Sequence, residues 1–238
     1  VPDENGRRIN RIMLEKVDGA WQGASALFLK TDKLRGGGVR IAMDHSGKSI
    51  YYASTARGWQ RPDEGIQRIT YNNKIPFHIQ NCELTNNGFK LTFTKPIQDP
   101  KKLIQKMDIT SYRYEYGHRY GSSEKDKKEH KITEMSGDNP FHLTIDNLAP
   151  GRIFELKFDS GLLSHKGESM DNPFVHYTLN RLKRIKAKLP VTLESDPDGL
   201  EVKIGDAFFA RYNFHKLGQP ILWPIYGPSG IRMLRDYP

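Results

Sequence analysis

Three residues between positions 57 and 68 have side chains suited to recognising a flat or anionic ligand. Arg57 and Arg68 carry guanidinium groups, which can bind a carboxylate or phosphate through two parallel hydrogen bonds. Trp59 offers a flat apolar face for a sugar ring or a quinone. In the alternative, structural interpretation, Trp59 packs under a loop and the arginines pair with Asp63 or Glu64. These three side chains form the first candidate ligand-binding group.

A run of tyrosines forms the second candidate group. Tyr112, Tyr114 and Tyr116 alternate along a predicted strand over residues 109–116, which would place them on one face. Such a row could stack against carbohydrate rings. It could equally fill the inner face of a two-layer sheet, because alternating aromatic residues are common in half-buried strands. Both interpretations stay open at the level of the sequence.

The other reactive residue types show no catalytic or metal-binding spacing. None of the eight histidines lies two, three or four residues from another, as metal ligands on one element would. No Gly-x-Ser-x-Gly motif occurs. The single cysteine, Cys82, excludes an intrachain disulfide and a haem-attachment motif, and we expect an inert, half-buried thiol. The sequence therefore predicts no catalytic residue, no metal site and no cofactor in this chain.

The positive charge of the chain is concentrated in one place. The formal net charge is +9, from 37 basic and 28 acidic residues, and five of the basic residues lie in positions 181–190, which contain no acid. A nucleic-acid-binding module remains a third hypothesis, since Arg113 and Arg119 also interleave with the tyrosines. The local concentration of charge and the lack of a known nucleic-acid motif disfavour it.

Short alternating segments separated by turn residues indicate an all-β fold. Gly (21) and Pro (14) are spread along the chain. Phe89, Leu91 and Phe93 alternate with polar residues, and residues 39–53 predict a hairpin with a four-residue turn at 44–47. Further strands are predicted at Ile66–Tyr71, Phe141–Ile145, Ile153–Phe158, Val175–Leu179, Val191–Glu194, Leu200–Ile204 and Ala207–Tyr212.

These strands and turns divide the chain into four parts. Residues 1–75 form one β segment, 76–180 a β-sandwich, and 181–190 a basic linker. Residues 191–238 begin a second β domain, which is too short to hold a core unaided. We therefore expect that domain to continue beyond Pro238. Because the chain opens with Val1 and not with Met, we also expect its true N-terminus to lie upstream.

The first part contains a set of short motifs: Gly38-Val-Arg-Ile-Ala, Asp44-His-Ser-Gly, Arg57-Gly-Trp and Gly65-Ile-Gln-Arg-Ile. In this set it resembles the end of the β-propeller in glucose/sorbosone dehydrogenase-like proteins of planctomycete-type bacteria. It implies one or two blades of a sugar-oxidising or sugar-binding propeller. Pyrroloquinoline quinone (PQQ) and calcium are the cofactors that it implies for the parent protein.

The two later parts resemble domains found beside that propeller. Residues 76–180 look like the immunoglobulin-like domain that follows it, and 191–238 look like the start of a PmoA-like domain. The motifs that carry the two resemblances are Gly88-Phe-Lys-Leu-Thr-Phe-Thr-Lys-Pro, Leu148-Ala-Pro-Gly and Tyr177-Thr-Leu-Asn, then Phe209-Ala-Arg-Tyr and Gln219-Pro-Ile-Leu-Trp-Pro. The resemblance implies an all-β chain of partial propeller, immunoglobulin-like sandwich and the start of a second sandwich.

Taken together, these features predict a non-catalytic linking or scaffold portion of a secreted, multidomain, sugar-associated protein. The expected partners are a carbohydrate or sugar-derived small molecule, with weak contacts, and other domains of the same chain. No membrane span is predicted, and the resemblance implies a periplasmic or secreted bacterial location. In the alternative hypothesis, the first part supplies active-site residues to a quinoprotein sugar dehydrogenase.

Overall fold

The chain is built from β-strands throughout the part that the structure describes. The computed structural model describes residues 1–3, 6–55, 64–118, 121–183, 189–215, 218–227 and 230–233. Within these ranges there are seventeen strands, two short 3₁₀ segments (Pro100–Lys102 and Ile104–Lys106) and no α-helix. No helix in these ranges could cross a membrane. The predicted all-β class is confirmed.

The strands are numbered here in chain order. They are β1 (Arg8–Val17), β2 (Ala20–Lys30), β3 (Gly38–Met43), β4 (Ser49–Ser54), β5 (Gly65–Thr70), β6 (Ile79–Leu84), β7 (Gly88–Phe93), β8 (Met107–Arg113), β9 (Lys125–His130), β10 (Ile132–Ser136), β11 (Phe141–Ile145), β12 (Arg152–Phe158), β13 (Phe174–Leu179), β14 (Val191–Asp196), β15 (Gly199–Ile204), β16 (Ala207–Asn213) and β17 (Ile221–Ile225). All pairings between them are antiparallel.

The chain divides into two compact units, Val1–Arg184 and Ile185–Pro238. The first unit contains three sheets. The large sheet has the order β1-β2-β13-β12-β8-β9, the second sheet β10-β11-β7-β6, and the small sheet β3-β4-β5. The second unit contains one sheet, with the order β14-β15-β16-β17.

The main core of the first unit lies between the large sheet and the second sheet. Phe89 of β7 packs edge-on against Phe154 of β12 with ring centroids 5.6 Å apart, and Phe93 meets Phe158 at 5.8 Å. All four rings are buried. Burial of one such side chain contributes roughly 1.5–3 kcal/mol. The predicted alternation is confirmed, because every second residue of these strands faces the core.

The N-terminal hairpin is part of this unit. In the large sheet β2 pairs with β13, so that Ala24 lies opposite Tyr177 and Ala26 opposite Val175. The sequence analysis divides the chain between residues 75 and 76, whereas the structure joins strands from both sides of that position in one sheet. The reason is that β2 and β13 are about 150 residues apart in the chain, so their pairing leaves no local signal in the sequence of either strand.

The hairpin predicted at residues 39–53 is confirmed as β3 and β4. Its turn is closed by a hydrogen bond from the Gly47 amide to the Asp44 carbonyl (3.1 Å), and Gly47 has a φ of 70°. The Asp44 carboxylate accepts a further bond from the Lys48 amide (2.9 Å). The inner face of the small sheet buries Tyr52 against Ile9.

Strand β1 also covers the free edge of the second sheet, where β6 is the last strand. Arg11 donates from Nη2 to the carbonyl of Ile79, and Glu15 accepts from the amide of Leu84 at 2.6 Å. Met13, between them, packs against the core. An uncovered edge strand exposes unpaired amide and carbonyl groups and invites aggregation. Here two side chains of opposite charge satisfy the two ends of that edge.

The second unit is a four-stranded meander. The three strands predicted in residues 191–212 are confirmed as β14, β15 and β16, and β17 adds a fourth. Ala210 of β16 is its one fully buried hydrophobic residue within the described ranges. Phe208 and Tyr226 pack edge-on, with ring centroids 5.7 Å apart.

The edge-covering role of Glu15 predicts a local and a global effect of its replacement. Glu15→Leu removes a charged acceptor from the Leu84 amide, and we expect the free energy of unfolding to fall by about 1.5–3 kcal/mol. Hydrogen exchange at the Leu84 amide should accelerate by at least the factor that corresponds to the loss in the free energy of unfolding. Urea denaturation and amide exchange measured by NMR check both.

Two further variants serve as controls for this prediction. Glu134→Leu replaces an exposed glutamate of β10 and should leave both readings unchanged. Glu15→Gln keeps an oxygen acceptor and should lose less stability than Glu15→Leu. Equal stability of Glu15→Leu and the unmodified protein would contradict the role assigned to this carboxylate.

Candidate functional site

The structure describes one of the three residues in the first candidate group. Arg57 and Trp59 lie outside the described residues. Arg68 lies on β5, exposed, directly opposite the exposed Tyr51 of β4. Among the described residues no carboxylate lies within ion-pair distance of Arg68. The guanidinium of Arg68 and the ring of Tyr51 therefore stand side by side on the outer face of the small sheet.

The three candidate tyrosines do not form one row. Strand β8 ends at Arg113, three residues before the predicted end, so Tyr114 and Tyr116 lie outside it. Tyr112 is buried, Tyr114 is half exposed with its ring centroid 5.3 Å from that of Tyr112, and Tyr116 is fully exposed. Burial and a hydrogen bond with Tyr114 raise the pKa of Tyr112. Only Tyr112 and Tyr114 are brought together.

The predicted inert thiol of Cys82 lies deeper than expected. Cys82 is fully buried, and its burial raises the pKa of the thiol, with the nearby Glu15 and Glu83 adding to the shift. Both effects favour the unreactive thiol over the thiolate. Within the described ranges no group of three or more His, Cys, Asp or Glu side chains is arranged to hold a metal ion.

A hydrogen-bonded chain of polar side chains that the sequence analysis missed crosses the core. Arg152 donates from Nε to Ser111 Oγ (2.7 Å), Ser111 Oγ lies 2.6 Å from His130 Nε2, and His130 Nδ1 lies 3.0 Å from the carbonyl oxygen of Asp146. Because a backbone carbonyl can only accept a hydrogen bond, we assign the imidazole proton to Nδ1. Ser111 Oγ then donates to Nε2. Every member of the chain is satisfied.

This chain superficially resembles a serine–histidine–aspartate triad, but its geometry is structural. Ser111 is fully buried and the His130 side chain is 1% exposed, so no substrate reaches either. The Asp146 carboxylate is 3.6 Å from the imidazole, and it is the backbone carbonyl that orients the ring. Because β8, β9 and β12 belong to the large sheet and Asp146 follows β11, the chain ties the two core layers together.

Arg152 is anchored beyond this chain. Its guanidinium is buried and forms an ion pair with Asp126 through Nη1 (2.5 Å). The hydrogen bond from Arg152 lowers the pKa of the Asp126 carboxyl, so the pair stays charged at neutral pH. The sequence signal for this network was Arg152, which stands at the start of a strand with alternating apolar residues. A cation buried at such a position requires hydrogen-bonding partners.

A second polar cluster, which we call the exit clasp, holds the end of the first unit. Gln22 of β2 is buried, and its carbonyl oxygen accepts from the amides of Asn180 (3.0 Å) and Arg181 (2.8 Å). Its side-chain nitrogen donates to the Tyr177 hydroxyl (3.0 Å) and to the Arg181 carbonyl (3.1 Å). One side-chain amide thus uses all four of its hydrogen-bonding positions.

Charged contacts extend the exit clasp to the first hairpin. Arg181 donates to the carbonyl of Asp18 (3.1 Å), and Lys183 lies 3.4 Å from the Glu15 carboxylate. The Tyr177 hydroxyl donates to the same carboxylate (2.7 Å), which, after burial, is the next cause of the raised pKa of Tyr177. Arg181 and Lys183, the first and third residues of the predicted basic linker, are therefore held against the β1–β2 hairpin, and residues 184–188 lie outside the described residues.

The structural interpretation of Ser111 predicts what its replacement does. Ser111→Ala leaves Arg152 Nε and His130 Nε2 without their buried partner, and we expect a loss of about 1–3 kcal/mol in the free energy of unfolding. Urea denaturation checks this, with Ser136→Ala on the exposed side of β10 as the matched control. Labelling of Ser111 by a fluorophosphonate in the folded protein would contradict the structural interpretation.

Comparisons with known proteins give no family assignment. No family model matches the chain, and neither the curated proteins nor the solved structures include a match. The resemblances to a propeller end, an immunoglobulin-like domain and a PmoA-like domain therefore stay predictions. The strand pairing shows an all-β protein with four antiparallel sheets in the described ranges.

Proposed function

We propose that residues 1–184 form a non-catalytic linking module within a larger secreted, sugar-associated protein. The observation that carries this proposal is the exit clasp. Gln22 binds the backbone of Asn180 and Arg181, the last part of the unit before the chain continues to Ile185. A linking module must fix where the chain leaves it, and three hydrogen bonds between the exit backbone and one buried side-chain amide do so at this point.

The proposal includes a finer assignment of fold and location. Residues 76–180 are taken as the immunoglobulin-like sandwich, residues 1–75, whose strands β1 and β2 complete one of its two sheets, as the end of a propeller, and residues 191–238 as the start of a PmoA-like sandwich. What supports the first of these is the shared aromatic core of the two sheets. A periplasmic or secreted bacterial location follows from the same resemblance.

In this proposal the module makes its weak carbohydrate contacts through the outer face of the small sheet. There Arg68 and Tyr51 lie side by side and exposed, and residues 56–63, which include Arg57 and Trp59, connect their two strands. An exposed aromatic ring offers a stacking face and a neighbouring guanidinium offers paired hydrogen-bond donors. This is the surface that both the linking hypothesis and the quinoprotein hypothesis would use.

The exit clasp predicts that one substitution frees the exit segment while the core stays intact. Gln22→Leu keeps the side-chain size but removes all four hydrogen bonds. We expect the amides of Asn180 and Arg181 to exchange at least tenfold faster, because opening this segment no longer breaks buried bonds. Trypsin should cut after Arg181 and Lys183 faster by a similar factor.

Two controls separate loosening of the exit from general unfolding. The core amides of Phe89 and Leu91 should accelerate only by the factor that the fall in the free energy of unfolding requires, and so by less than the amides of Asn180 and Arg181. Gln80→Leu, at an exposed position of β6, should leave the exit segment unchanged. If Gln22→Leu leaves exchange and proteolysis unaltered, the clasp does not fix the exit and the linking proposal fails.

A separate experiment distinguishes the linking module from the quinoprotein alternative. In the longer protein that the resemblance implies, supplied with PQQ and calcium, dye-linked sugar oxidation is measured after Arg57→Ala, Trp59→Ala or Arg68→Ala. The linking proposal predicts unchanged turnover in all three variants. A loss of tenfold or more would instead assign these residues to an active site.

A further inference from the structure

A cleft in the first unit separates the inner face of the small sheet from the strands that lead into the core. Its volume is about 500 Å³, within the range of small-molecule sites. The walls are apolar, with Leu29 of β2 on one side and Ile50 and Ile69 of the small sheet on the other. At the mouth Phe28 and Met43 expose large parts of their side chains.

The charged groups of the cleft all have the same sign. Arg11, Lys48 and Lys74 line it together with His78, and none of the described lining residues is acidic. Arg11 is half-buried, donates to the Ile79 carbonyl, and has no carboxylate within ion-pair distance among the described residues. Burial lowers the pKa of its guanidinium, which nevertheless stays charged at any physiological pH. The cleft therefore holds a partly desolvated, uncompensated cation.

Two nitrogens beside the cleft lack a hydrogen-bond partner among the described residues. They are Arg11 Nε and His78 Nδ1, and His78 as a whole is 7% exposed. Burial, followed by the nearby positive charge of Arg11, lowers the pKa of the His78 imidazole, against a smaller opposing effect of Asp171. Unpaired buried polar atoms are uncommon in folded proteins and often mark a site that another molecule completes.

We infer that this cleft binds a small amphipathic monocarboxylate, with its carboxylate at Arg11 and its apolar body between Leu29 and the small sheet. A guanidinium recognises a carboxylate through paired hydrogen bonds, and a partly desolvated cation attracts an anion more strongly than one in bulk water. Lys48 and Lys74, both exposed at the mouth, draw anions in and disfavour cations. An apolar body on the ligand matches the lining, most of whose accessible surface is apolar.

Three ligands of the same chain length test the charge requirement. Decanoate has the inferred chemistry, decan-1-ol lacks the charge, and decyltrimethylammonium reverses it. In titrations of the full chain followed by ¹H–¹⁵N NMR, we expect decanoate to shift the amides of Leu29, Ile50, Ile69 and His78. It should bind at least tenfold more tightly than the alcohol, and the ammonium compound should not bind at this site. Equal binding of decanoate and decan-1-ol, or shifts confined to other surfaces, would overturn the inference.

Substitutions test the residues. Arg11→Met keeps an unbranched side chain without the charge, and we expect at least a tenfold loss of decanoate affinity, with decan-1-ol unaffected. Because Arg11 also covers the edge of β6, Lys48→Glu/Lys74→Glu provides a second variant outside the core, and it should weaken decanoate binding fivefold or more. Arg40→Met, at an exposed position of β3, is the matched control and should bind normally. Undiminished decanoate affinity in the double variant, or in a folded Arg11→Met, would refute the site.

Discussion

The free edge of β6 is the constraint on which the first unit depends. A strand at the end of a sheet carries amide and carbonyl groups that must be paired or covered. In this protein β1 does not extend the ladder of that sheet but crosses its edge, and it satisfies Ile79 with Arg11 and Leu84 with Glu15. The N-terminal hairpin is thereby bound to both core sheets, since its other strand, β2, pairs with β13.

The same carboxylate connects that edge to the exit of the unit. Glu15 accepts from the Leu84 amide and from the Tyr177 hydroxyl, Tyr177 accepts from Gln22, and Gln22 holds Arg181. Each bond lies in a buried or half-buried place, where a hydrogen bond is stronger and an unpaired group costs more than in water. The beginning and the end of the first unit are therefore joined by one continuous set of polar contacts across its core.

The sequence could predict the strands and their buried faces but not their partners. Alternation of apolar residues located β7 and β12, because the side-chain period of a strand is visible locally. The pairing of β2 with β13 joins residues about 150 positions apart, so no local pattern in either strand could predict it. The polar chain through Ser111 and His130 was missed for the same reason, since it is assembled from four separate segments.

Arg11 shows how a structural role and a binding role can share one side chain. Covering the β6 edge uses one guanidinium nitrogen, Nη2, and brings the cation into a place where water is partly excluded. A neutral donor could satisfy the same Ile79 carbonyl at a smaller desolvation penalty. The positive charge of Arg11 is therefore more than the edge requires, and the cleft beside it, which has no acidic residue among its described lining, gives that charge a use. The edge fixes where the cation lies, and the cleft determines what can approach it.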